Sequence, residues 1–147
     1  MQEKPSPVLD QTECNCLALR QAARHVSQIY DRHMASEGLR TSQYSILAKL
    51  NRLGPLSINE LARSMVMDRT TLGRAIRPLE RDKLVRIGPG EDGRTRSLKL
   101  TTAGLTRLNA AQAKWREAQK EFELAYGVGE AANLRSLLRQ VISLPPD

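Results

Sequence analysis

Three groups of side chains in this 147-residue sequence have types and spacings that could do chemistry. The first is the run Arg69, Thr70, Thr71, Arg74 and Arg77, directly after Asp68. An arginine fork matches guanine edges and phosphates, and threonine can bond a base or phosphate or touch a thymine methyl. The second is a cationic loop with Arg86 on its approach and Asp92, Arg94 and Arg96 about a glycine-rich tip. The third is a pair of thiols, Cys14 and Cys16. Residues two apart on a helix point to nearly opposite sides, so the two would not join to each other while a helix holds them.

The charge balance picks out the first two groups. The chain carries a formal +7, and the stretch from Arg69 to Lys99 holds nine basic against four acidic side chains, most of that excess. A basic stretch suits a polyanion, because each phosphate it neutralises releases condensed counterions. The bland alternative is a solvated charged face. The five aromatics, Tyr30, Tyr44, Trp115, Phe122 and Tyr126, lie outside the basic clusters. That argues against modules that hold single strands by base stacking. No apolar run is long enough to span a bilayer, and residues 1–10 lack the apolar core of a signal peptide. A cytoplasmic protein without membrane contact is expected. The thiols are too few and too close for a disulfide framework, and no Cys/His set has zinc spacing. The lone His25 and His33 suit surface or satisfied-core roles, and Trp115 suits a seam between subunits. No cofactor, no metal and no catalysis are expected.

The elements that would position these groups follow from periodicity and caps. Residues 1–8 read as a disordered tail. Residues 9–37 read as a helix that Gly38 ends, and residues 42–53 as a second helix that Gly54-Pro55 breaks. Ser57-Ile58-Asn59-Glu60 is a capping box, so Ser57 opens a short helix. Asp68 caps the next, over 69–83, with Leu72, Ala75, Ile76 and Leu79 on its inner side. Pro78 falls inside that helix and should bend it or end its regular geometry early. The two short helices form a helix-turn-helix. Residues 84–87 and 97–100 alternate and make a two-stranded hairpin around the glycine loop. Thr101 or Thr102 caps a long helix with a three-heptad seam from Leu105 to Ala125, and a last helix runs over 130–144. The fold class is mainly α with a small β-hairpin wing: a winged helix-turn-helix lobe over 38–104, and helices of 9–37 and 105–147 forming a dimerisation region.

Residues 88–95 nearly spell a phosphate-binding loop, with Arg94 where the lysine belongs. That mechanism needs a helix to start at once, and Glu91 and Asp92 would repel phosphate. A hairpin turn is the better reading.

The sequence resembles the MarR family of bacterial regulators. The residues that carry the resemblance are Leu61-Ala62, Asp68-Arg69-Thr70-Thr71-Leu72, Leu79-Glu80, Lys83-Leu84-Val85, Asp92-Gly93-Arg94 and Leu100-Thr101-Thr102-Ala103-Gly104. The resemblance implies a homodimer built from the first and the last two helices. It implies double-stranded DNA as partner, a pseudo-palindromic operator read in adjacent major grooves. Ser57, Asp68, Arg69, Thr70, Thr71, Arg74, Arg77, Arg86, Asp92, Arg94 and Arg96 are the candidate DNA-binding residues. By the resemblance, Arg94 enters the minor groove and Asp92 holds the wing or Arg94 in place. Gly93 stands where the family often has arginine and is expected to loosen the tip, with Arg96 restoring the charge.

Cys16, Tyr30 and Tyr44 also keep the spacing of the organic-hydroperoxide-sensing branch of that family. Arg20 replaces a tyrosine usual there, and could itself favour the thiolate. The bland reading makes Cys16 a small packed hydrophobe. The expected function is a dimeric DNA-binding transcriptional regulator, a repressor released by a small-molecule or oxidant effector. The rivals are a thiol sensor or peroxidase centred on Cys16, and a winged helix that binds protein alone.

Overall fold

Caps and glycines set most of the element ends. The computed structural model describes residues 13–146, so the tail expected over 1–8 lies outside the described residues. Helix α1 (Asn15–Met34) starts later than residue 9: Cys14 is its N-cap, with Sγ accepting from the Leu17 amide at 3.4 Å. A single 3-10 turn (Ala35–Glu37) ends on Gly38 at φ 68°. In α2 (Thr41–Leu53) two side chains satisfy the opening amides. Gln43 accepts from the Arg40 amide at 2.9 Å, and Asp31 of α1 accepts from the Thr41 amide at 2.7 Å.

The helix-turn-helix lobe follows. Strand β1 (Leu56–Ser57) leads into α3 (Ile58–Met65), then α4 (Arg69–Arg81), β2 (Val85–Pro89) and β3 (Arg96–Leu100). The expected two-stranded hairpin is a three-stranded antiparallel sheet in the order β1-β3-β2, with Leu56 opposite Leu98 and Val85 opposite Leu100. A two-residue strand after Gly54-Pro55 has no periodicity to announce it. Helix α4 passes through Pro78 and ends at Arg81, two residues short of the expected end. The Asp82 amide bonds the Pro78 carbonyl at 3.0 Å and the Leu84 amide bonds the Leu79 carbonyl at 2.9 Å, so the last turn is closed despite the missing proline donor. Helices α5 (Thr102–Tyr126) and α6 (Val128–Ile142) complete the chain.

One core joins the lobe to the long helices. Ile46, Leu47, Leu61, Leu72, Leu79 and Leu98 are fully buried, and Leu108 and Ala111 bring α5 onto the same cluster. A second clasp ties α1 to α5. Arg32 and His33 both reach the Glu121 carboxylate at 2.6 Å. These bonds, His33 first and then Arg32, hold the Glu121 carboxyl below its ordinary range.

The turn between α3 and α4 carries a strained residue. Val66 sits at φ 53°, left-handed, and is 65% exposed. A β-branched residue there is an outlier, and its side chain gains little burial in return. Val66→Gly is expected to stabilise the fold by about 1 kcal/mol, the relief of strain exceeding the added freedom of the unfolded chain. Urea unfolding checks this; a lower midpoint at unchanged slope would show the valine contributes more than its backbone costs.

Candidate nucleic-acid interface

Local caps aim the helix-turn-helix. Ser57 Oγ accepts from the Glu60 amide at 3.1 Å and Glu60 accepts from the Ser57 amide at 2.8 Å. Asp68 accepts from the Thr71 amide at 2.7 Å through one oxygen and from the Thr71 hydroxyl at 3.0 Å through the other. Those bonds hold the Asp68 carboxyl below its usual value, the Thr71 amide contributing most. A carboxyl lowered on folding stabilises above its ordinary range, and that contribution is lost as pH falls through the lowered value. The cap therefore holds at neutral pH.

With the cap set, one face of α4 is committed to the core and the other to solvent. Leu72, Ile76 and Leu79 are buried, and Arg69, Thr70, Thr71, Arg74 and Arg77 are all exposed. The exposed residues are not equivalent. Thr71 gives its hydroxyl proton to Asp68, which leaves it only acceptor capacity, and Asp68 has both oxygens engaged. Both therefore hold the helix start, while the side chains of Thr70 and the three arginines make no hydrogen bond or salt bridge among the described residues. Ser57 accepts through Oγ and keeps its proton to donate. Between α4 and β2 runs a groove of about 380 Å³ lined by Arg69, Thr70, Gly73 and Arg77 with Ile58 and Ile87.

The wing is stapled by Asp92. Its Oδ1 accepts from the amides of Arg94 and Thr95, each at 3.0 Å, and from the Thr95 hydroxyl at 2.9 Å. The Thr95 and Arg94 amides hold its carboxyl below the usual range. Gly90 donates to the Thr95 carbonyl at 2.7 Å, and Gly93 takes φ 69°. At Gly93 the turn uses the left-handed backbone that glycine adopts freely and that an arginine would adopt only with strain. A strand, not a helix, follows at Arg96, so the loop has no phosphate-cradle geometry. Arg94 and Arg96 are exposed, as is Arg86 on the sheet face. Among the described residues none of Arg69, Arg74, Arg77, Arg86, Arg94 and Arg96 joins a salt bridge.

A joint that sequence reasoning missed fixes this lobe to α5. After Lys83, at φ 59°, the Leu84 carbonyl accepts from the Thr101 amide at 3.1 Å. The Thr101 hydroxyl lies 2.7 Å from the Lys83 carbonyl and 3.0 Å from that of Leu84 while it accepts the Gly104 amide at 2.9 Å. A β-carbon at Gly104 would run into the Leu84 carbonyl oxygen and lie 2.7 Å from Leu100 Cδ1. The run Leu100 to Gly104 is the sequence signal of this joint, and the contact with Leu84 is what requires its glycine. Along this joint a second groove, of about 550 Å³, is lined by Glu37, Asp82, Thr102, Thr106 and Arg107.

The structure does not assemble the thiol constellation within one chain. Cys14 and Cys16 are free and exposed, so Cys16 is not a packed core residue of the protomer. Tyr30 lies fourteen residues further along α1, about 21 Å away. Its hydroxyl donates to Gln119. Tyr44 is buried and stacks on Trp115 at 6.2 Å, so the half-buried Trp115 packs one side against the protomer's own core. Burial raises the pKa of both phenols, for Tyr30 with help from Glu123. Arg20 is exposed.

Comparison with known proteins agrees with this geometry. A family model described as the MarR family matches residues 39–94. The chain is 31% identical over 104 residues to the uncharacterised HTH-type transcriptional regulator YxaD of Bacillus subtilis, covering 70% of this chain and 73% of that one. It is similar to the Mycobacterium tuberculosis transcriptional regulator MosR, with 32% identity, a TM-score of 0.76, and coverage of 90% of this chain and 98% of that one. The structure of MosR in complex with DNA matches with 33% identity and a TM-score of 0.74, over 90% of this chain and all of the other.

Proposed function

The chain belongs to the MarR family of DNA-binding transcriptional regulators, and we propose that it acts in the cytoplasm as a homodimeric repressor that grips a pseudo-palindromic operator. The observation that supports this is the set of six exposed arginines on α4, β2 and the wing, none of which joins a salt bridge among the described residues. In this reading Thr70 and Arg74, on the outer face of α4, face base edges in the major groove. Arg69, Arg77, Arg86, Arg96 and the Ser57 hydroxyl hold phosphates, and Arg94 enters the minor groove. Asp68, Thr71 and Asp92 act by holding those elements in place. The segments 9–37 and 105–147 join the two copies.

Release is assigned to a small ligand or to oxidation. The groove beside Thr102 and Arg107 lies against the joint between lobe and α5, where a bound molecule would tilt one against the other. For oxidation, the exposed Cys16 is the reactive group, and its contact with Tyr30 has to be made between two copies.

The test is a salt titration on duplexes selected by the protein from a random pool. A protein making six to ten phosphate contacts loses about a thousandfold or more in affinity between 50 and 200 mM salt. A salt-independent interaction, or none with duplex, rules the reading out and favours a protein-binding winged helix. Repeating the titration after an organic hydroperoxide, for wild type and Cys16→Ser, decides between the two routes of release. Equal affinity before and after removes the oxidative one.

A further inference from the structure

Gly73 stands in the middle of the reading helix, where glycine weakens a helix relative to alanine. Among the described residues no contact requires it. Its φ is not left-handed, and a β-carbon built there meets no heavy atom within 4 Å. Gly104 is the contrast, since its missing side chain is demanded by Leu84. The helix backbone at Gly73 is therefore open to approach from outside the protomer.

Its surroundings say what. Gly73 opens onto the groove of about 380 Å³ between α4 and β2, with Arg69 one turn before it and Arg77 one turn after it. Both guanidinium groups are exposed, and among the described residues neither joins a salt bridge. The apolar sides of the groove come from Ile58, Ile76 and Ile87, and Glu80 closes one end. A protein with a helix in the major groove and a wing in the adjacent minor groove straddles the phosphodiester strand that separates them. That strand must cross between α4 and the wing, which is where this groove lies. Cations for phosphate and an apolar wall for deoxyribose fit its chemistry, and a carboxylate marks where phosphate is repelled.

We propose that this groove seats the sugar–phosphate strand between the two grooves of the duplex, and that position 73 is glycine so that the strand can lie against the helix backbone. The inference rests on the DNA-binding reading above, and it makes Gly73 a contact residue without sequence preference. Two variants test it against the selected duplex and an unrelated one. Gly73→Ala should raise the melting temperature by about 2–4 °C. It should nevertheless weaken binding about tenfold, by the same factor on both duplexes. Gly73→Leu should weaken it further, and ethylation interference at the phosphates flanking the minor-groove contact should fade in both variants. Wild-type affinity in the stabler Gly73→Ala protein overturns the seat while the DNA-binding reading stands. So does a loss confined to the selected duplex, which would make position 73 a base reader. A wild-type protein that binds no duplex overturns both.

Discussion

The Arg74→Ala protein is expected to bind its selected duplex about five- to a hundredfold more weakly than wild type, with its unfolding midpoint unchanged. Arg74 is exposed on the outer face of α4, between the buried Leu72 and Ile76, and makes no salt bridge among the described residues. Its removal leaves no carboxylate stranded and opens no cavity, so a lost contact with DNA is the main effect. The nearby Asp68 carboxyl is lowered chiefly by Thr71 and only last by Arg74, so the cap survives the substitution. Two outcomes separate two roles. A loss that depends on the base at one position marks base readout; a uniform loss with a salt slope reduced by about one marks a phosphate contact. Arg94→Ala gives a third signature, a loss concentrated on A/T-rich flanks, because a narrow minor groove has the strongest negative potential. Wild-type affinity in both variants removes the assignment of α4 and the wing as the reading surface.

What was legible in the sequence was local. The Ser57–Glu60 box, the Asp68 cap, the Thr101 cap and the buried Leu72-Ile76-Leu79 stripe all depend on residues within a turn or two of each other, and each stands where its residue types place it. What was hidden depended on partners far along the chain. Strand β1 has two residues and exists only because Leu98 and Ser97 lie opposite it. The contact that needs Gly104 is with Leu84, and Tyr44 meets Trp115 across seventy residues of chain. Pro78 shows the limit of a local rule. Proline withholds its donor there, yet the helix runs on for three residues, and the carbonyls of Pro78 and Leu79 are taken by amides beyond its end. The candidate site divides in the same way. Which arginines face solvent follows from helical period, whereas the engagement of Thr71, the open space at Gly73 and the left-handed turn at Gly93 are set by three-dimensional surroundings that residue types do not announce.

The largest effect is expected from the far end of the molecule. Among the fifteen residues of α6 only Ala131 is buried, while Leu137, Val141 and Ile142 expose their side chains. The first half of α1 is likewise exposed, Leu19 included. Isolated helices of this length are marginal in water, and apolar stripes of this extent stay soluble when something covers them. In the proposed dimer the cover is the same face of a second copy. Introducing charge there, as in the double variant Leu137→Asp, Ile142→Asp, should yield a monomer by analytical ultracentrifugation at micromolar concentration. Each reading lobe keeps its own core, centred on Ile46, Leu47, Leu72 and Leu98, so circular dichroism should still report a folded winged helix. DNA binding should then fall by about two to four orders of magnitude on a palindromic duplex, since the second half-site is no longer held at high local concentration. On a single half-site the same variant should match wild type. That contrast separates loss of dimerisation from damage to the reading head. A doubly charged protein that stays dimeric, or one that binds both duplexes equally poorly, would place the subunit contact elsewhere on the chain.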